Sequence, residues 1–248
     1  MLTGLVSVTF RELSPAEIIK LVKGAGLDCI EWGADIHCPP GDVENAKKVA
    51  AMMAENGLKT VSYGTYYHIY GKADNADFNT LVQTAEVLKT DNLRIWAGQI
   101  SSQDADEAVW KAAVTDAQRC ADIAAEKGKT VSFEYHCNTL TDTLATTVQL
   151  LEAVNRDNVF TYWQPQAFSK PEENVKDIQT LLKMQKLKNL HVFSWEDRDR
   201  LSLDAHADRW PLYVNAAAPC NPALLMEFVK ETTQFAADAK YLKTLVEG

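Results

Sequence analysis

Four polar side chains stand inside otherwise apolar runs: Glu134 in "TVSFEY", Gln164 in "YWQP", His191 in "LHVFSW" and Glu227 in "LLMEFVK". Burying an unpaired carboxylate in such a run costs several kcal/mol unless a partner or a metal neutralises it. Two carboxylates, one amide oxygen and one imidazole form a donor set suited to Mn²⁺, Co²⁺, Mg²⁺ or Zn²⁺. The expectation is one divalent cation held by Glu134, Gln164, His191 and Glu227, with that cation keeping Glu134 ionised. Singly, each residue has a plainer reading. A strand histidine is usually satisfied core, Gln164 beside Pro165 can simply end a strand, and Glu227 can pair with a rim lysine.

What joins the four is the rhythm of the chain. Short β-branched and aromatic runs recur: "LVSVTF" from Leu5, "CIEWG" from Cys29, "TVSYG" from Thr60, "LRIWAG" from Leu93, "TVSFEY" from Thr130, "VFTYW" from Val159, "LHVFSW" from Leu190 and "LLMEFV" from Leu224. Amphipathic helical patterns fill most of the gaps. Ser14-Pro15-Ala16-Glu17 reads as a capping box with proline at the first helical position. Gly26, Gly57 and Gly128 read as helix ends. Thr141 is expected to open a further helix, and Ser169 with Glu172 another. Eight strands alternating with helices predict a (β/α)₈ TIM barrel, one domain over residues 1–248. A doubly wound open sheet would need a glycine-rich loop after its first strand, and "VTFRELSPAE" has none. Strand ends of a barrel face one mouth, so Glu134, Gln164, His191 and Glu227 fall on four consecutive ends of it. The stretch from Trp195 to Pro222, with Arg198, Arg200, His206 and Trp210, is expected to be a long lid or binding loop.

Composition narrows the partners. The 248 residues carry 25 Lys+Arg against 34 Asp+Glu, a net charge of −9 that disfavours nucleic acid. No apolar run reaches membrane-spanning length and the amino terminus lacks a signal-peptide layout. The five cysteines are scattered with no C-x-x-C, which suits a reducing compartment and gives no disulfide or zinc framework. The expectation is a cytoplasmic protein.

The blocks "GLDCIEWGADIHCPPGD", "LRIWAG", "YWQP", "HVFSW" and "LLMEFVK", in this order, resemble the xylose isomerase-like TIM barrels, the sugar phosphate isomerase/epimerase group that includes the ketose 3-epimerases. That family carries Glu, Asp, His and Glu at the ends of its fifth to eighth strands. Glu134, Gln164, His191 and Glu227 match them, separated by 30, 27 and 36 residues. The resemblance implies a metal-dependent sugar isomerase or epimerase, with Glu134 and Glu227 as acid and base on opposite sides of the substrate carbon and an enediolate intermediate. Gln164 departs from the family's aspartate. A neutral amide predicts weaker metal binding and a more strongly polarising cation.

Other residues are expected around a small carbohydrate substrate. Glu31 and His37 would reach the pocket mouth. His136, two residues from Glu134, would share its strand face and hydrogen-bond the substrate or support the site from behind. Arg200 would meet a substrate hydroxyl or phosphate, or stay a solvated rim charge. Trp96, with Trp32, Tyr63 and Trp195, would stack on a sugar face or belong to the core. Cys38 and Cys137 each adjoin a histidine, but strand neighbours point to opposite faces, which excludes a thiol nucleophile. Competing functions are a cyclitol or keto-sugar dehydratase on the same site and a non-catalytic sugar-binding barrel. The endonuclease relatives need more histidines than the five present. Substrate, phosphorylation and any homo-oligomeric state stay open.

Overall fold

The computed structural model describes residues 1–71, 74–166, 169–197 and 199–247. Its strands are β1 (Leu2–Val6), β2 (Cys29–Gly33), β3 (Lys59–His68), β4 (Asn92–Trp96), β5 (Thr130–Phe133), β6 (Val159–Trp163), β7 (Leu187–Val192), β8 (Ser194–Glu196), β9 (Asp199–Leu201) and β10 (Ala223–Met226). Its helices are α1 (Pro15–Gly24), α2 (Val43–Glu55), α3 (Phe78–Val87), α4 (Glu107–Ala125), α5 (Leu144–Val154), α6 (Pro171–Lys183), α7 (Trp210–Ala217) and α8 (Thr232–Glu247). Eight strands close into a barrel in the order β1-β10-β7-β6-β5-β4-β3-β2, and β8 pairs with β9 outside it. This is the (β/α)₈ TIM barrel that the alternation predicts. No helix among the described residues is long and apolar enough to cross a membrane.

The chain has two compact units. One comprises Met1–Glu31, Ala51–Lys59 and Trp163–Gly248. Within it β1 lies parallel to β2 and β10, with Val6 opposite Glu31 and Leu5 opposite Met226. A Cβ on Gly4 would meet the Cys29 carbonyl oxygen at 2.4 Å, so only glycine allows β1 this close to β2. The strand predicted from Leu5 stops at Val6. Ser7–Phe10 turns into a 3₁₀ helix that buries Ser7 and Phe10 on one side, Phe10 edge-on to Phe235 at 5.7 Å. The Ser14–Glu17 capping box forms as expected, and α1 buries Ile18, Ile19 and Val22. The cap of α6 is one residue later than expected. Pro171 takes the first helical position, so Lys170 is the N-cap and its N–H donates to Glu173 Oε2 at 2.8 Å. The stretch from Trp195 is not an irregular lid. It holds the β8–β9 hairpin, a 3₁₀ turn over Leu203–His206 and α7, because Ser194, Leu203 and Trp210 are buried anchors. Ser194 Oγ donates to the Leu203 carbonyl and accepts from Trp210 Nε1, and Asp238 Oδ1 accepts from Leu203 N–H. Arg198 lies outside the described residues.

The other unit comprises Trp32–Ala50 and Thr60–Tyr162. Its strands carry a buried polar network: Asn92 Nδ2 donates to Ser62 Oγ and Tyr162 Oη, and Asn92 Oδ1 accepts from Thr130 and Ser132 hydroxyls. Every valence of the amide is used, which is the condition for keeping it buried. Helix α5 starts at its Thr143 cap rather than at Thr141. The Thr141 hydroxyl is diverted to the Glu134 carbonyl at 2.6 Å and so fastens the loop that follows β5. All five cysteines are free.

Candidate metal centre

In the first unit, His191 is the hub. It lies in β7, fully buried, beside Leu225 of β10 in the strand register. Gln164 follows β6 directly and Glu227 follows β10 directly. His191 Nδ1 is 3.2 Å from Glu227 Oε2 and 3.3 Å from Gln164 Oε1, and its Nε2 is 3.7 Å from Glu31 Oε1. Burial pulls the imidazole pKa down, but the carboxylates of Glu227 and Glu31 outweigh it and push it up to about 10.

In the second unit, Glu134 follows β5 directly and forms a buried ion pair with Arg94 of β4. Both side chains are almost completely enclosed. The guanidinium also lies over the Tyr66 ring, 5.9 Å from its centroid. Trp96, two residues beyond Arg94, stacks with His68 at 5.2 Å and with Tyr66 at 6.3 Å, and meets His136 at 4.7 Å. His136 Nδ1 lies 2.7 Å from the Cys137 carbonyl, which can only accept, so that nitrogen carries the proton.

His191 and Glu227 offer a ring nitrogen and a carboxylate oxygen side by side, both on buried residues, with the Gln164 amide oxygen next to them. The donor chemistry fits a divalent cation. Ligand atoms about 2.1 Å from one ion, at right angles, stand about 3.0 Å apart. The separations of 3.2 and 3.3 Å around His191 Nδ1 match that spacing.

The remaining expected residues fall as follows. Glu31 has no exposed surface and touches His191 rather than a pocket mouth. His37 is buried with its ring edge-on to Trp32 at 6.0 Å. Arg200 sits exposed on β9, its guanidinium 5.2 Å from the Phe228 ring and 5.9 Å from that of Trp195. Trp32 and Tyr63 are core; the Tyr63 hydroxyl donates to the Cys38 carbonyl at 2.7 Å. The strand argument against a thiol nucleophile does not apply, because both His–Cys pairs lie in loops. Burial instead pushes the Cys38 thiol up to about 12, leaving it neutral. Cys137 is exposed, its Sγ 3.7 Å from His136 Nδ1. Arg94 was missed. An arginine inside the apolar run "LRIWAG" is as anomalous as the glutamate in "TVSFEY", and the two anomalies neutralise each other.

The profile of the xylose isomerase-like TIM barrels matches residues 19–211. The chain belongs to that family. It is 26% identical over 167 residues to a 3-dehydroshikimate dehydratase of Bacillus anthracis, an alignment covering 63% of this chain and 59% of that one. The chain thus spans less than two thirds of that relative. Among solved structures, the probable 3-DHS dehydratase of petrobactin synthesis from Bacillus anthracis superposes with a TM-score of 0.83 at 19% identity, over 98% of this chain and 99% of that one. A D-psicose 3-epimerase solved in the presence of D-fructose gives 0.74 at 17% identity, over the whole of both chains. These structural likenesses carry the fold. Solved structures that share this barrel thus include both an epimerase and a probable dehydratase.

Proposed function

We propose that the protein is a divalent-metal-dependent enzyme that removes a proton next to the carbonyl of a small carbohydrate, as an isomerase or epimerase. The observation that carries this is the convergence on His191 Nδ1 of the Glu227 carboxylate and the Gln164 amide oxygen. Glu134, Gln164, His191 and Glu227 would hold the cation, which supplies Lewis-acid stabilisation of the developing oxyanions when bound. Glu134 and Glu227 take and return the proton on opposite sides of the substrate carbon. His136, Trp96, His37 and Arg200 are the proposed substrate contacts.

A second reading is a dehydratase, favoured by the likeness to the Bacillus anthracis enzyme. It begins with the same proton removal and ends with loss of a β-hydroxyl as water. The two separate in one experiment: the protein with Mn²⁺ is incubated with ketoses and cyclic hydroxyketones in D₂O, then the quenched, metal-stripped mixture is examined by NMR. Solvent deuterium in an inverted or isomerised product supports the first reading, and an unsaturated product the second. Glu134→Gln and Glu227→Gln should each lower turnover by about 10²- to 10⁴-fold while the fold is kept. Sugar binding with no exchange in any member of the panel would leave a non-catalytic barrel.

A further inference from the structure

We infer that Glu31 is a positioning residue for His191: its carboxylate accepts the Nε2 proton and thereby keeps Nδ1 bare for the cation. The inference rests on the proposed metal centre and refines it, since the sequence placed Glu31 at the pocket mouth with the substrate. Glu31 and His191 are both fully buried, and the pairing of Val6 with Glu31 fixes where the carboxylate stands. A cation that binds through one ring nitrogen displaces the proton there, so the bound imidazole is neutral and carries one proton on its other nitrogen. With that proton on Nδ1, the Nε2 lone pair would face the Glu31 carboxylate 3.7 Å away, two buried acceptors turned toward each other. With the proton on Nε2, Glu31 accepts it, and the Nδ1 lone pair joins the oxygens of Gln164 and Glu227, three donors converging without a proton between them. The 3.7 Å separation exceeds a hydrogen bond by about half an ångström, a shift within reach of side-chain rotation. Carboxylates that hold the far nitrogen of a metal-bound histidine fix its tautomer and raise its basicity.

The test uses Zn²⁺ as a diamagnetic probe with ¹⁵N-histidine-labelled protein. Long-range ¹H–¹⁵N correlation should show His191 protonated at Nε2 and zinc-bound through Nδ1 in the wild type. Glu31→Gln keeps the volume and an acceptor but removes the charge, and should weaken zinc binding by about 10- to 100-fold with the tautomer kept. Glu31→Ala should weaken it at least as much and let the other tautomer appear; unchanged far-ultraviolet dichroism checks that each variant folds. Wild-type zinc affinity in Glu31→Gln, or coordination of His191 through Nε2, overturns the inference. Failure of the wild type to bind any zinc, manganese or cobalt overturns the metal centre itself, a result distinct from either.

Discussion

Two places in this barrel are built alike and differ in one respect. At each, an arginine lies over an aromatic ring whose residue has a left-handed backbone: Arg94 over Tyr66 at φ 55°, and Arg200 over Phe228 at φ 57°. Such conformations cost a bulky residue about 1–3 kcal/mol and persist where the surroundings enforce them. Each place also holds a glutamate: Glu134 is ion-paired with Arg94, while Glu227 is adjacent in sequence to Phe228. The difference is countercharge. Glu134 faces a guanidinium that never loses its proton, buried with it. Glu227 faces His191, whose charge changes with protonation, while Arg200 stays on the exposed hairpin. The two carboxylates expected to act as a symmetrical acid–base pair are therefore held by unlike partners, one permanent and one exchangeable.

Removing Arg94 should have the largest effect on stability. Arg94→Met leaves Glu134 buried without this partner and should cost about 3–5 kcal/mol in urea denaturation. Adding Glu134→Gln to it should restore more than half of that loss. If the double variant is as unstable as the single one, packing rather than charge holds this region and the contrast collapses. The effect at the His191 side is read in metal affinity. Gln164→Asp adds a negative charge next to Nδ1 and should tighten Mn²⁺ binding by on the order of tenfold, about 1.4 kcal/mol, in titration calorimetry. Unchanged affinity would remove Gln164 from the donor set. The smallest effect belongs to Arg200→Ala, which should cost about 0.5–1 kcal/mol, the worth of an exposed cation–π contact. A loss as large as that of Arg94→Met would show that the two arginines are equivalent after all.

Much of this was legible in the residues, and the misses have physical causes. The runs "CIEWG" and "VFTYW" are strands to the residue, since apolar, β-branched and aromatic side chains dominate each, with Glu31 the one charged exception. The caps at Ser169 and Thr141 were misplaced because several nearby residues have capping spacing. Pro171 and the pull of the Glu134 carbonyl on Thr141 decide between them. The hairpin and α7 were invisible because their order comes from distant anchors such as Asp238, not from local periodicity. At the site, Gln164, His191 and Glu227 stood out by polarity alone. The link from Glu31 to His191 did not, for it depends on how β1, β2, β7 and β10 are registered. Arg94 escaped because long cationic side chains on strands usually reach solvent; its enclosure is a property of the closed barrel.

Cys137 gives the loop after β5 a practical handle. Cys29, Cys38 and Cys120 are buried, and Cys137 and Cys220 are exposed. With Cys220 replaced by serine, a maleimide dye or nitroxide would attach at one position, three residues from Glu134 on the segment that Thr141 fastens. Its fluorescence or electron-spin spectrum would then report, without any substrate in hand, when the mouth of the barrel meets a ligand.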